Sequence, residues 1–159
     1  MKPILVGLHN PHSPYAEFAL WPYPHGGSGD RLCRLLGLTP MEYLALFDRV
    51  NLLIGGGGAL VWSRTMARMA RHRACELLEY YAREEKSPRH WILLGARVCA
   101  AFALPFEPML ERRLNGDFVS VLPHPSGRCR VWNAPASVAY VKRIATQSHP
   151  SVPISVEVK

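Results

Sequence analysis

Four short apolar runs recur along the chain: "PILVGL" at 3–8, "DRVNLLI" at 48–54, "HWILLG" at 90–95 and "FVSVLP" at 118–123. Each is separated from the next by at least one stretch with helical spacing. Runs of this length with little polar alternation read as strands covered on both faces, and parallel strands so covered require crossover helices. The spacing therefore predicts an α/β fold: three-layer α/β/α with a central, mainly parallel four-stranded sheet. With 159 residues, 48% of them hydrophobic, the chain suits a single domain over 1–159, with 146–159 as a loosely attached tail.

The intervening helices have recognisable ends. One starts at a cap on Ser28 or Asp30 and stops at Gly37. "TPMEYLALF" is capped by Thr39 with proline at its first position. Residues Ser63 to about Lys86 place Met66, Met69, Ala70, Leu77, Leu78 and Tyr81 on one amphipathic face, and "ARVCAAFAL" and "APASVAYVKRIAT" supply two more helices. Gly55–Gly58 lack the Lys-Ser/Thr of a phosphate-binding loop and read as a surface turn.

The charge balance suits an anionic partner, and suits equally a merely basic cytosolic protein. The net charge is +7, and fifteen of the nineteen cationic residues are arginine, whose fork grips phosphates bidentately. The four cysteines form no C-x-x-C pair, so neither a disulfide framework nor a zinc site is expected. No run has the length of a signal-peptide core or a membrane span, and the expected setting is intracellular and cytoplasmic, with no membrane contact and no obligate protein partner.

In a parallel α/β sheet, ligands sit beyond the carboxyl ends of the strands, where "HNPHSP", "VNLL" and "HPSGRCRVWN" are expected. The last is a stiff, basic, histidine-bearing loop, too polar for a core. In that order, "GLHNP", "RVNLL" and "HPSGRCRVWN" resemble the three motifs of the uracil-DNA glycosylase superfamily, over Gly7 to Asn133. "GLHNP" departs from the family's G-x-N-P by one extra residue between glycine and asparagine.

The resemblance implies a monofunctional DNA glycosylase that flips a pyrimidine, uracil by default, out of double- or single-stranded DNA and hydrolyses its N-glycosidic bond to leave an abasic site. His124 and Asn10 would then be catalytic. His124 would donate to the pyrimidine O2 as charge develops there. Asn10, which cannot take a proton as a carboxylate does, would orient the water, with His9, His12 or Glu17 as a possible base. Asn51 would read the base, since a carboxamide matches the imide edge of uracil and, half-rotated, cytosine; the alternative for the same residue is a core amide bonded to backbone. Trp21, with Phe18 and Tyr23 as alternatives, would stack on the base. His12, followed by the small Ser13, stands where the family's tyrosine gate excludes five-substituted pyrimidines. Ser126 and Gly127 would meet a phosphate, Arg128 would wedge the duplex, and Arg130 continues the DNA-binding loop. The branch with an iron-sulfur cluster opens with a close cysteine pair that this chain lacks, so no metal and no cofactor are expected.

Two other functions fit the same residues. One is a glycosylase for a hydroxymethylated or glucosylated pyrimidine of phage DNA, acting in antiviral defence rather than DNA repair. The other is a nucleic-acid-binding module that keeps the fold without hydrolysis.

Overall fold

The computed structural model describes residues 2–55, 60–84, 87–126 and 129–146. The strands are β1 (Ile4–His9), β2 (Asp48–Leu53), β3 (His90–Leu94), β4 (Glu111–Leu114) and β5 (Asp117–Leu122). The helices are α1 (Ser28–Leu36), α2 (Pro40–Leu46), α3 (Arg64–Glu84), α4 (Ala96–Ala101) and α5 (Pro135–Thr146). The expected tail beyond 146 lies outside the described residues, as do Gly56, Gly57 and Gly58 of the glycine run.

The sheet has five strands, not the expected four, in the order β2-β1-β3-β5-β4. Four run parallel, and β4 pairs antiparallel with β5. The extra strand is "ERRL", an edge strand of four residues none of which is fully buried, so it needs no apolar run, and its charged side chains also discourage pairing with another chain. Asn115 and Gly116 link it to β5 with φ of 51° and 92°, the pair of positive angles that a tight two-residue hairpin requires.

Alternate strand residues enter two separate cores. Ile4, Val6, Trp91, Leu93, Val119 and Val121 pack with Ala70, Ala74 and Leu77 of α3 and Val98 and Cys99 of α4. Leu5, Ile92, Leu94 and Leu122 pack instead with Leu32, Cys33 and Leu36 of α1, Tyr43 of α2, and Val141 and Ile144 of α5. Each large apolar side chain so buried contributes about 1.5–3 kcal/mol.

Helix ends follow the local chemistry. At α1 the cap is Gly27 rather than Ser28 or Asp30, because the Asp30 carboxylate instead accepts from the Gly26 N–H at 2.8 Å. Gly37 stops the helix in the left-handed conformation, φ 69°. At α2, Thr39 and Glu42 form a reciprocal capping box ahead of Pro40.

Because β2 and β3 flank β1 on opposite sides, the connections after β1 diverge and leave a crevice at its carboxyl end. Among the described residues no helix is long and apolar enough to cross a membrane.

Candidate active site

The segment after β1 is folded by its own polar groups. Asn10 donates from Nδ2 to the Phe18 carbonyl at 2.8 Å, and its Oδ1 accepts the His12 N–H at 2.9 Å, closing an Asx turn. A short 3-10 turn at Ala16–Phe18 brings Phe18 edge-on to Trp21, ring centres 5.3 Å apart. Leu20 then holds φ at 47°, a left-handed conformation that costs a leucine about 1–2 kcal/mol, and its carbonyl accepts from the buried Tyr43 hydroxyl at 3.1 Å. The first turn of α1 lies directly on this segment: a Cβ at Gly29 would fall 2.2 Å from the Leu20 carbonyl oxygen and 2.3 Å from that of Trp21.

This folding opens a cleft of about 250 Å³ lined by His9, Asn10, Pro11, His12, Leu20, Trp21, Tyr23, Gly26–Ser28, Pro125 and Ser126. It therefore gathers the loop after β1, the start of α1 and the loop after β5. Four of the expected residues, Asn10, His12, Trp21 and Ser126, share it. His12 is exposed at its rim and Tyr23 is 60% exposed, whereas Phe18 supports Trp21 from the side and does not line the cleft. Glu17 is exposed and outside the lining. Two larger hollows, about 560 Å³ on the outer side of α3 and about 420 Å³ between α3 and the β4–β5 turn, lie away from the carboxyl ends of the strands and contain none of these residues.

The loop after β5 is pinned by Trp132, 2% exposed, whose indole N–H donates to the His124 carbonyl at 3.1 Å. A Cβ at Gly95, φ 97°, would stand 3.3 Å from the His124 Cβ, so β3 and this loop meet closely. His124 retains solvent-exposed surface and does not line the cleft, although the next two residues do. Packing around its ring still disfavours the imidazolium, and burial holds its pKa below the ordinary histidine value. Arg130 is exposed and opens a 3-10 turn over Arg130–Asn133. Gly127 and Arg128 lie outside the described residues.

The "VNLL" motif forms the carboxyl-terminal four residues of β2, as expected, with Asn51 two residues before the strand's last one. Asn51 pairs in register with Gly7 inside the sheet, is 9% exposed, and is absent from the cleft lining. The backbone-bonded core amide is not what is found either: its Oδ1 is buried and has no hydrogen-bond partner among the described residues. That oxygen occupies the space a Cβ at Gly7 would need, 2.3 Å away, beside the Leu20 side chain that forms the cleft wall.

Arg49 was missed. Its guanidinium lies 5.1 Å from the Trp21 ring centre and 6.0 Å from that of Tyr43, with Nε and Nη1 buried and unbonded among the described residues. Period-two spacing in "DRVNLL" carried the signal, since positions 49 and 51 interrupt an apolar strand on one face. Among the described residues no group of three His, Cys, Asp or Glu could hold a metal ion.

No protein-family model matches the chain, and no curated protein matches it in sequence.

Proposed function

We propose that the protein is a monofunctional DNA glycosylase that takes a flipped pyrimidine, uracil by default, and hydrolyses its N-glycosidic bond. The observation that carries this reading is the shared cleft: the histidine- and asparagine-bearing loop after β1, the Trp21 ring, and Pro125-Ser126 after β5 converge at the carboxyl end of the sheet. The finer architecture that goes with it is a three-layer α/β/α sandwich, with α3 and α4 on one face of the sheet and α1, α2 and α5 on the other.

In this mechanism Trp21 stacks on the base, and the cation of Arg49 beneath it fixes the ring. His124 stands beside the cleft, next to the lining residue Pro125, so its ring must turn toward the bound base; there the neutral imidazole, favoured by its depressed pKa, donates to the pyrimidine O2 as negative charge develops, and such a donor contributes about 2.7–4 kcal/mol. Water attacks C1′ as the bond to the base breaks; the oxygen stays on C1′ as a hydroxyl, its other proton passes to solvent, and the base leaves as an anion that solvent protonates. Asn10 keeps one N–H and one lone pair beyond its two loop bonds to orient that water. Asn51 reaches the base when strained Leu20 yields, and its Oδ1, which has no partner among the described residues, then accepts the ring N–H.

Specific observations favour each alternative. An exposed His12 at the rim suits a five-substituted pyrimidine, as in hydroxymethylated or glucosylated phage DNA. The commitment of both ends of Asn10 to the loop suits a binding module without hydrolysis.

Duplexes and single strands containing uracil, hydroxymethylated or glucosylated pyrimidines, incubated with excess protein and then cleaved at abasic sites by alkali, separate the three. Cleavage only at uracil supports the first reading, and cleavage at the modified base alone supports defence. Binding to DNA without cleavage of any substrate leaves the binding module.

A further inference from the structure

We propose a second nucleic-acid site on the α3/α4 side of the molecule: a groove in which Arg68, Arg71 and Arg97 grip the phosphodiester backbone of a DNA strand beside Trp62. It does not rest on the cleft being catalytic.

The groove, about 210 Å³, runs between α3 and α4 and is lined by these four residues with Ala67 and Ala100. Trp62 packs against the core on one side, and the Arg97 guanidinium lies 4.7 Å from its ring centre on the other. All three arginines are exposed. Arg64, Arg68 and Arg71 follow an i, i+4, i+7 spacing and so share one helix face. Their rise of about 10 Å covers roughly three phosphates at the per-strand spacing of DNA.

What marks the patch is the lack of counter-charge. Within α3 no carboxylate precedes Glu76, and α4 has none. Glu76 and Glu79 are taken by other cations: Arg73 at 3.0 Å, His72 at 3.4 Å and Arg83 at 3.3 Å. Among the described residues, Arg64, Arg68, Arg71 and Arg97 have no carboxylate within ion-pair distance. Like charges held together at low separation repel, and a polyanion relieves that repulsion while releasing its condensed counterions.

The chemistry favours nucleic acid over other anionic surfaces. A membrane-binding helix needs an apolar face to insert, and the apolar stripe of α3 (Ala70, Ala74, Leu77) is already buried against the sheet. Guanidinium forks match phosphate oxygens bidentately, and a cation stacked on an indole is pre-ordered for that contact. The position also fits. α3 and α4 follow the carboxyl ends of β2 and β3, so the groove lies at the same end of the sheet as the cleft but on its other face. A strand held here passes over the sheet end toward the cleft.

The test is fluorescence anisotropy with a labelled single strand and a labelled duplex, both free of uracil and of modified bases, across a salt titration. The R68Q/R71Q/R97Q variant should lose at least tenfold in affinity at low salt. Its log–log salt slope should be shallower by about 2 on the single strand and about 2.7 on the duplex, for three phosphate contacts removed. A charge-matched R34Q/R83Q/R143Q control, whose arginines pair with Asp30, Glu79 and Glu111, should leave the slope unchanged. R68Q/R71Q, confined to exposed helix positions, guards against misfolding caused by losing the Trp62 contact and should remove about two-thirds of the effect. Equal effects of the two triple variants, or tighter binding to polyglutamate or anionic vesicles than to DNA, would overturn the proposal. Base release is scored separately: absent release with intact groove-dependent binding refutes only the glycosylase reading.

Discussion

Replacing Gly7 with alanine tests the relation between the sheet and Asn51. The new Cβ would lie 2.3 Å from the Asn51 Oδ1 and 3.1 Å from the nearest Leu20 carbon. The first separation is far inside van der Waals contact, so the carboxamide must leave its rotamer within a nearly closed site. Overpacking of this kind costs about 1–3 kcal/mol. For a domain of this size that lowers Tm by about 2–4 °C per kcal/mol. Asn51→Ala should behave differently, because it removes a buried carbonyl that has no hydrogen-bond partner among the described residues, a deficit that costs about 1–3 kcal/mol, and thereby offsets the packing it loses. Made together, the two changes should not add. In the Asn51→Ala background Gly7→Ala has only the Leu20 tip to displace, and a double-mutant cycle by urea unfolding should return a coupling of about 1 kcal/mol or more. If Gly7→Ala costs the same in both backgrounds, Asn51 does not occupy the space above Gly7 and cannot be poised beside the cleft wall.

Three further outcomes are expected. His124→Ala should slow single-turnover base release by about a hundredfold or more with little change in DNA affinity, since a donor to developing charge acts in the transition state; equal losses in both would make His124 a structural residue. His12→Tyr should abolish release of five-substituted pyrimidines and spare uracil, because overfilling penalises only the ligand that needs the room; parallel rates on both substrates for wild type and variant would remove His12 from the gate. His90 and His124 both have pKa values depressed by burial, so the unfolded chain binds protons more readily than the folded one as pH falls below the ordinary histidine value. Their contribution to stability is present above about pH 6.5 and is lost as pH falls from there through their folded values, and His90→Gln should flatten that part of the urea-derived profile; a stability that rises on acidification through this window would contradict the lowered values of both rings.

The strands that carry the cleft were readable from the sequence because they are buried on both faces and therefore nearly uninterrupted in hydrophobicity, as in "PILVGL" and "HWILLG". β4 was not, because none of its four residues is fully buried, whereas the other edge strand, β2, buries its last three; "ERRL" therefore needs no apolar run and shows mainly charge. Its signal lay in the Asn115-Gly116 turn. Thr39 and Gly37 could be assigned because capping and left-handed stops are local chemistry, whereas the α1 cap moved to Gly27 once the Asp30 carboxylate was engaged by Gly26. Asn10, His12, Trp21 and Ser126 reach one cleft because strand ends gather loops. The placing of Asn51 behind Leu20, and of Arg49 beneath Trp21, depends on the register of β2 against β1 and on a strained leucine, neither of which composition reveals.

The proposed activity stands or falls on the fate of the glycosidic bond. A uracil-containing oligonucleotide incubated with excess protein and resolved by mass spectrometry should yield free uracil together with a full-length strand that has lost only the base, at a rate that collapses in His124→Ala. Recovery of the intact oligonucleotide from wild type, with uracil and with five-substituted pyrimidines alike, would contradict hydrolysis at this cleft.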